Sequence, residues 1–271
     1  MNQNHYNQLD VFRGLAALSV CAVHFNYNSF FHKYFAMGLF VQLFFTLSGF
    51  VIFLNYSQKI NKLNDFLKFA KKRFKRLYPL HLFFLILFVS FEFLKYFISI
   101  KYGVMGDDKP FGINNTQNFL LNLFFLQHFA DVFNFNGPAW SISVEMMLYI
   151  TFAFLILYFK KYIILISAIY LIFFISFFTD VYGQHYAMNG YYSGLYSFFI
   201  GCLFCYLFIK KKIFINSLFY ELFYLIIVVI FISEIFYFKL LDSDKYLYSI
   251  FFGLTFFLSC YLNKNSIIYK L

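Results

Sequence analysis

LDVFRGLAALSVCAVHF, residues 9–25, is an apolar run of membrane length with Arg13 and, eleven residues later, His24 inside it. An anchor helix needs neither group. Each is expensive in hydrocarbon, so the default reading of such a segment is a functional site. No basic region precedes the run and no small-residue cleavage site follows it, so it is expected to remain as a span and not to be removed as a signal peptide.

Outward from this segment the same pattern recurs. Hydrophobic residues make up 62% of the chain, with 47 Phe, 24 Tyr and only 13% charged residues. Runs near the twenty residues that a bilayer requires occupy 9–27, 36–56, 77–98, 140–159, 162–179, 191–209, 218–238 and 246–262. The expected fold class is all-α, a polytopic transmembrane helical bundle of eight spans forming a single domain over residues 1–271. A ninth run, 118–130, is too short to cross and suits an interfacial or re-entrant helix.

Charge supports that count. With eight spans and both termini cytoplasmic, fifteen of the 22 basic residues fall on the inner side and five on the outer. If 118–130 also crossed, each side would hold ten. The positive-inside rule favours the first arrangement, a multi-pass protein of a bacterial-type inner membrane. The net charge of +10 therefore reads as membrane orientation: the basic residues lie in short blocks between apolar runs, and no nucleic-acid partner is expected. The bilayer is the expected partner. Cys21, Cys202, Cys205 and Cys260 all lie in apolar spans, where packing explains them better than a disulfide or a metal site.

Three constellations could carry chemistry. Asp10 and Arg13, three apart, can pair near the inner surface and so reduce the cost of burying either. His24 then lies about 22 Å into a core of about 30 Å, in its outer half. The plainer explanation of His24 is a hydrogen bond to a neighbouring helix. Arg73 and Arg76 in KKRFKRLYP, residues 71–79, stand at the inner mouth of the third span, with Pro79 in its first turn. A spacing of three is expected to put both guanidiniums on one face, suited to bidentate phosphate binding, although an anchor on lipid headgroups would look similar.

The third constellation is GPAWSISVEMMLY, residues 137–149. Glu145 is expected about 7 to 8 Å below the outer surface, at the depth of His24, so that carboxylate and imidazole could meet. Trp140 reads as an interfacial anchor, and Ser141 and Ser143 as caps or back-bonds of the helix. Weaker candidates are Glu92 with Lys95, spaced to pair; Gly190 with Gly194, spaced for helix packing; and His81, His128 and His185, which show no metal-ligand spacing. No metal is expected.

Four blocks in one order, LDVFRGLAALSVCAVHF, FFTLSGFVI at 44–52, RFKRLYP at 73–79 and WSISVE at 140–145, resemble the acyltransferase 3 family of integral membrane acyltransferases. The resemblance implies transfer of an acyl group, most often acetyl, from a cytoplasmic acyl-CoA to a hydroxyl of an extracytoplasmic acceptor such as a surface glycan. Acyl-CoA would be a substrate, with no bound cofactor. By this resemblance His24 is the general base or a covalent acyl carrier, and Glu145 orients the imidazole or contacts the acceptor. Arg73 and Arg76 receive the donor's phosphates and Arg13 extends the positive path inward, with Asp10, Trp140, Ser141 and Ser143 completing the substrate-binding set. Members of the family carry about ten spans of bilayer length, so the last two helices are expected to be missing from this chain. The competing readings are a transporter or flippase of an anionic lipid or glycan precursor, which needs no acyl donor, and an inactive remnant.

Overall fold

A computed structural model describes residues 6–25, 38–104, 106, 108–130, 135–178, 186–210, 221–226, 229 and 245–261. Among these residues the regular structure is entirely helical. The helices are α1 (Asn7–Phe25), α2 (Gly38–Tyr56), α3 (Leu63–Tyr102), α4 (Thr116–Leu123), α5 (Trp140–Phe159), α6 (Ile163–Phe178), α7 (Tyr186–Lys210) and α8 (Lys245–Ser259). Three continuous helical stretches, Leu63–Tyr102, Gly137–Phe173 and Gly190–Lys210, are long and apolar enough to cross a bilayer, and Phe40–Tyr56 and Tyr248–Ser259 are shorter apolar helices. The span expected over 218–238 lies largely outside the described residues.

The chain divides into two compact units, one of residues 1–59, 159–182 and 193–271, the other of residues 60–158 and 183–192.

In the first unit, α1, α2 and α8 pack on one another, and α7 crosses α2 at very close range. Glycine makes the crossing possible. A methyl group at Gly49 would strike the carbonyl of Phe198, and one at Gly201 would strike the carbonyl of Thr46, so the helices meet backbone to backbone, as small residues permit in lipid. This contact accounts for the glycine of the FFTLSGFVI block. Around it the core is aromatic, with Phe50 and Phe256 at 6.3 Å and Phe12 and Phe256 at 5.4 Å. One polar cluster is buried there: Ser197 on α7 hydrogen bonds to Gln42 on α2, and its hydroxyl lies 2.7 Å from that of Ser249 on α8. Each polar group is satisfied by another helix, the condition for tolerating it away from water. Cys202 and Cys205 are buried free thiols, and Cys202 lies 3.5 Å from the Gly49 carbonyl.

In the second unit, α3 runs for 40 residues, about 60 Å and about twice the hydrocarbon thickness. The stretch between the spans expected at 36–56 and 77–98 is therefore helical from Leu63 onward, and Pro79 sits well inside the helix and not in its first turn. Charge density made the segment look like a connection, but Leu, Ala, Lys and Arg are good helix formers, and Phe69 and Arg73, four apart, are both buried. The helix stops at Gly103, whose φ of 65° is left-handed, with its N–H bonded to the Ser99 carbonyl.

The loop after α3 is clasped back onto it. Glu92, buried on α3, accepts from the Phe111 N–H at 2.9 Å and from Asn114 Nδ2 at 2.7 Å, and pairs with Lys95 at 2.6 Å as its spacing suggested. Asn115 then caps α4 by accepting from the Asn118 N–H. With eight residues, about 12 Å, α4 is too short to cross, and the remainder of the expected 118–130 helix is a series of tight turns. Phe125 stands in those turns at φ 59°, a conformation unfavourable for a residue with a side chain. Its ring compensates by burial, 4.8 Å from His81 and 5.9 Å from Phe74.

Candidate functional site

Arg73, Tyr149 and Glu145 form the best-defined polar constellation of the second unit. Arg73 is buried, at 7% exposure, on the inner stripe of α3. Its guanidinium lies 5.5 Å from the ring centre of Phe69 and 5.7 Å from that of Tyr149, where the negative faces of the rings stabilise the charge. Tyr149, also buried, donates its hydroxyl hydrogen to the half-buried carboxylate of Glu145, one turn earlier on α5. Two blocks distant in sequence, RFKRLYP and WSISVE, thus meet through the Tyr149 ring. Tyr149 was missed in reading the sequence. Its signal was its position four residues after Glu145, the helical neighbour spacing.

Arg76 does not share this site. It is exposed, although it stands only three residues after buried Arg73. A step of three leaves the two side chains within about 60° of each other on the helix, but in different surroundings, Arg73 buried and Arg76 exposed.

The start of α5 is a tightly built corner. Pro138 opens a short 3-10 turn, Gly137–Ala139, that leads into Trp140. Ser141 donates to the Pro138 carbonyl and Ser143 to the Trp140 carbonyl, both at 3.0 Å, so these hydroxyls brace the helix start. Gln127 donates to the Ala139 carbonyl at 3.2 Å. Trp140, half-buried, is more than an interfacial anchor: its indole lies 5.3 Å from the buried imidazole of His128, and a Cβ at Gly190 would strike the His128 ring and come within 3.1 Å of the Trp140 ring. His81 has a structural role, donating from Nε2 to the Asn122 carbonyl at 2.8 Å.

Asp10, Arg13 and His24 belong to the first unit. Arg13 and Asp10 form the expected ion pair, at 2.5 Å, with both side chains partly exposed. His24 is exposed in the last turn of α1. Eleven residues make just over three full turns, so Arg13 and His24 lie on the same face of α1, about 16 Å apart along its axis. Glu145 belongs to the other unit. Among the described residues, no group of three or more His, Cys, Asp or Glu side chains is placed to share a metal ion.

No curated protein and no solved structure matches the chain significantly. A family model described as an acyltransferase domain matches residues 6–270, nearly the whole chain and all four sequence blocks, and with its long apolar helices the protein belongs to the acyltransferase 3 family and is a membrane acyltransferase.

Proposed function

We propose that this protein transfers an acetyl group from acetyl-CoA, arriving on the cytoplasmic side, to a hydroxyl of an extracytoplasmic glycan at the inner membrane. The acceptor hydroxyl gives its proton to His24 and its oxygen attacks the thioester carbonyl. The carbon–sulfur bond breaks, and the departing CoA thiolate takes the proton back from the imidazolium. An imidazole can both accept a proton and give it back, which suits both halves of this exchange.

The observation that carries the reading is the chain Arg73, Tyr149, Glu145. A buried guanidinium and a membrane-embedded carboxylate are costly unless held for a purpose, and here one aromatic side chain holds both. In this reading Glu145 accepts hydrogen bonds from the acceptor molecule, and Arg73 fixes the ring that positions it. Arg76, exposed on the basic segment of α3, meets the donor's phosphates as a bidentate donor. Arg13, paired with Asp10, adds a positive charge to the face of α1 that carries His24. Trp140, Ser141 and Ser143 shape the acceptor side of α5.

The test supplies acetyl-CoA labelled in the acetyl group to membranes containing the protein, together with candidate glycans. Label in the glycan, absent when the protein is absent, is the expected result. Glycan movement across the membrane with no label transferred would replace this reading by that of a transporter.

A further inference from the structure

The first turns of α3 carry a charge pattern that acyl transfer does not use. Lys68, Lys71, Lys72 and Lys75 occupy positions i, i+3, i+4 and i+7 and are all exposed. On a helix this spacing confines them to an arc of about 100°. That stripe faces away from buried Phe69 and Arg73. Along its edge Leu63, Leu67 and Phe74 form an exposed apolar line. Asp65, the one acid between residues 63 and 76, is engaged at the helix start, where its carboxylate receives the Asn61 N–H at 3.3 Å.

Length decides where the stripe lies. With the apolar part of α3 from residue 77 onward in the hydrocarbon, the four lysines stand within about 14 Å of its edge, the depth of the headgroups and the ionic layer beside them. Lysine is a compact point charge on a flexible stem, suited to a diffuse field of phosphates, whereas bidentate recognition of one nucleotide favours arginine. The stems can lie along the apolar line while the ammonium groups reach outward.

We propose that the stripe Lys68, Lys71, Lys72 and Lys75 is a docking surface for the anionic phospholipid headgroups of the leaflet in which α3 begins. The inference is independent of the acyl-transfer reading.

The experiment reconstitutes the full chain in vesicles and measures, by electron spin resonance, its selectivity for spin-labelled phosphatidylglycerol over spin-labelled phosphatidylcholine among the motionally restricted lipids. One lysine near an anionic surface is worth about a fivefold preference. The wild type is expected to favour phosphatidylglycerol by at least about that factor in low salt and to lose most of the preference in molar salt. The variant with all four lysines changed to glutamine should lose it already in low salt, while a Lys160→Gln, Lys161→Gln variant keeps it. Equal selectivity of the four-lysine variant and the wild type, at equal helix content, overturns the proposal. So does a variant of unchanged lipid selectivity whose binding of acetyl-CoA is weakened tenfold in phosphatidylcholine vesicles, for then the stripe serves the soluble nucleotide.

Discussion

Tyr149 donates its phenolic hydrogen to Glu145 while its ring carries the guanidinium of Arg73 on one face. One side chain therefore serves two charges by two different parts, and substitution can separate them. Tyr149→Phe keeps the ring and removes the hydroxyl. A hydrogen bond to a charged group is worth about 1.5 to 3 kcal/mol, so kcat for acyl transfer is expected to fall about tenfold to a hundredfold with the KM for acyl-CoA unchanged. Tyr149→Leu removes the ring as well and should also lower the amount of folded protein. Steady-state kinetics of the two variants beside the wild type make the comparison; a Tyr149→Phe variant as active as the wild type would leave the hydroxyl without a role.

His24 lies in the last turn of α1, with an exposed ring. Its replacement by alanine should leave insertion and helix content intact and reduce acylation by about two orders of magnitude or more, the usual contribution of a general base. Near-normal transfer by His24→Ala would refute the assignment of the base. Arg76→Gln, at an exposed position, is expected instead to raise the acyl-CoA concentration needed for half-maximal rate while sparing kcat.

Gly49 and Gly201 meet the backbone of the opposite helix, which cannot rotate aside as a side chain can. Gly49→Ala and Gly201→Ala should each destabilise the first unit by about 1 to 3 kcal/mol, the range for overpacking. Gly14 has open space around it, and Gly14→Ala is expected to be neutral or to stabilise α1 by about 0.5 to 1 kcal/mol. Thermal unfolding in detergent ranks the three. A Gly49→Ala melt indistinguishable from that of Gly14→Ala would mean that the helices do not cross there.

Glu92 holds the loop after α3 through a backbone N–H and an amide side chain. Glu92→Ala removes both acceptors at once and should release the loop, speeding proteinase K cleavage between residues 104 and 115 about tenfold, in line with the loss of a charge-assisted hydrogen bond. Mass spectrometry of the nicked protein locates the cut. Lys95→Gln, which leaves the loop's donors in place, should change the rate little.

The sequence alone determined the helical class, the membrane setting and the family. Hydrocarbon demands a backbone whose polar groups are satisfied internally, and a continuous apolar run of bilayer length does this as a helix; the starts of α5 and α6 fall within one residue of expectation. Spacing along one helix was legible as well: Asp10 with Arg13 and Glu92 with Lys95 are pairs within a turn, fixed by helical geometry before any tertiary contact forms.

What only the tertiary structure decided is which face of each helix turns inward. Hydropathy does not show that α3 begins at Leu63, that Arg73 is buried while Arg76 is exposed, or that Tyr149 links Arg73 to Glu145. In lipid, apolar side chains are as content outside the bundle as inside it, so the inner face is chosen by close packing and polar pairing between helices distant in sequence. No spacing within a single segment records that choice.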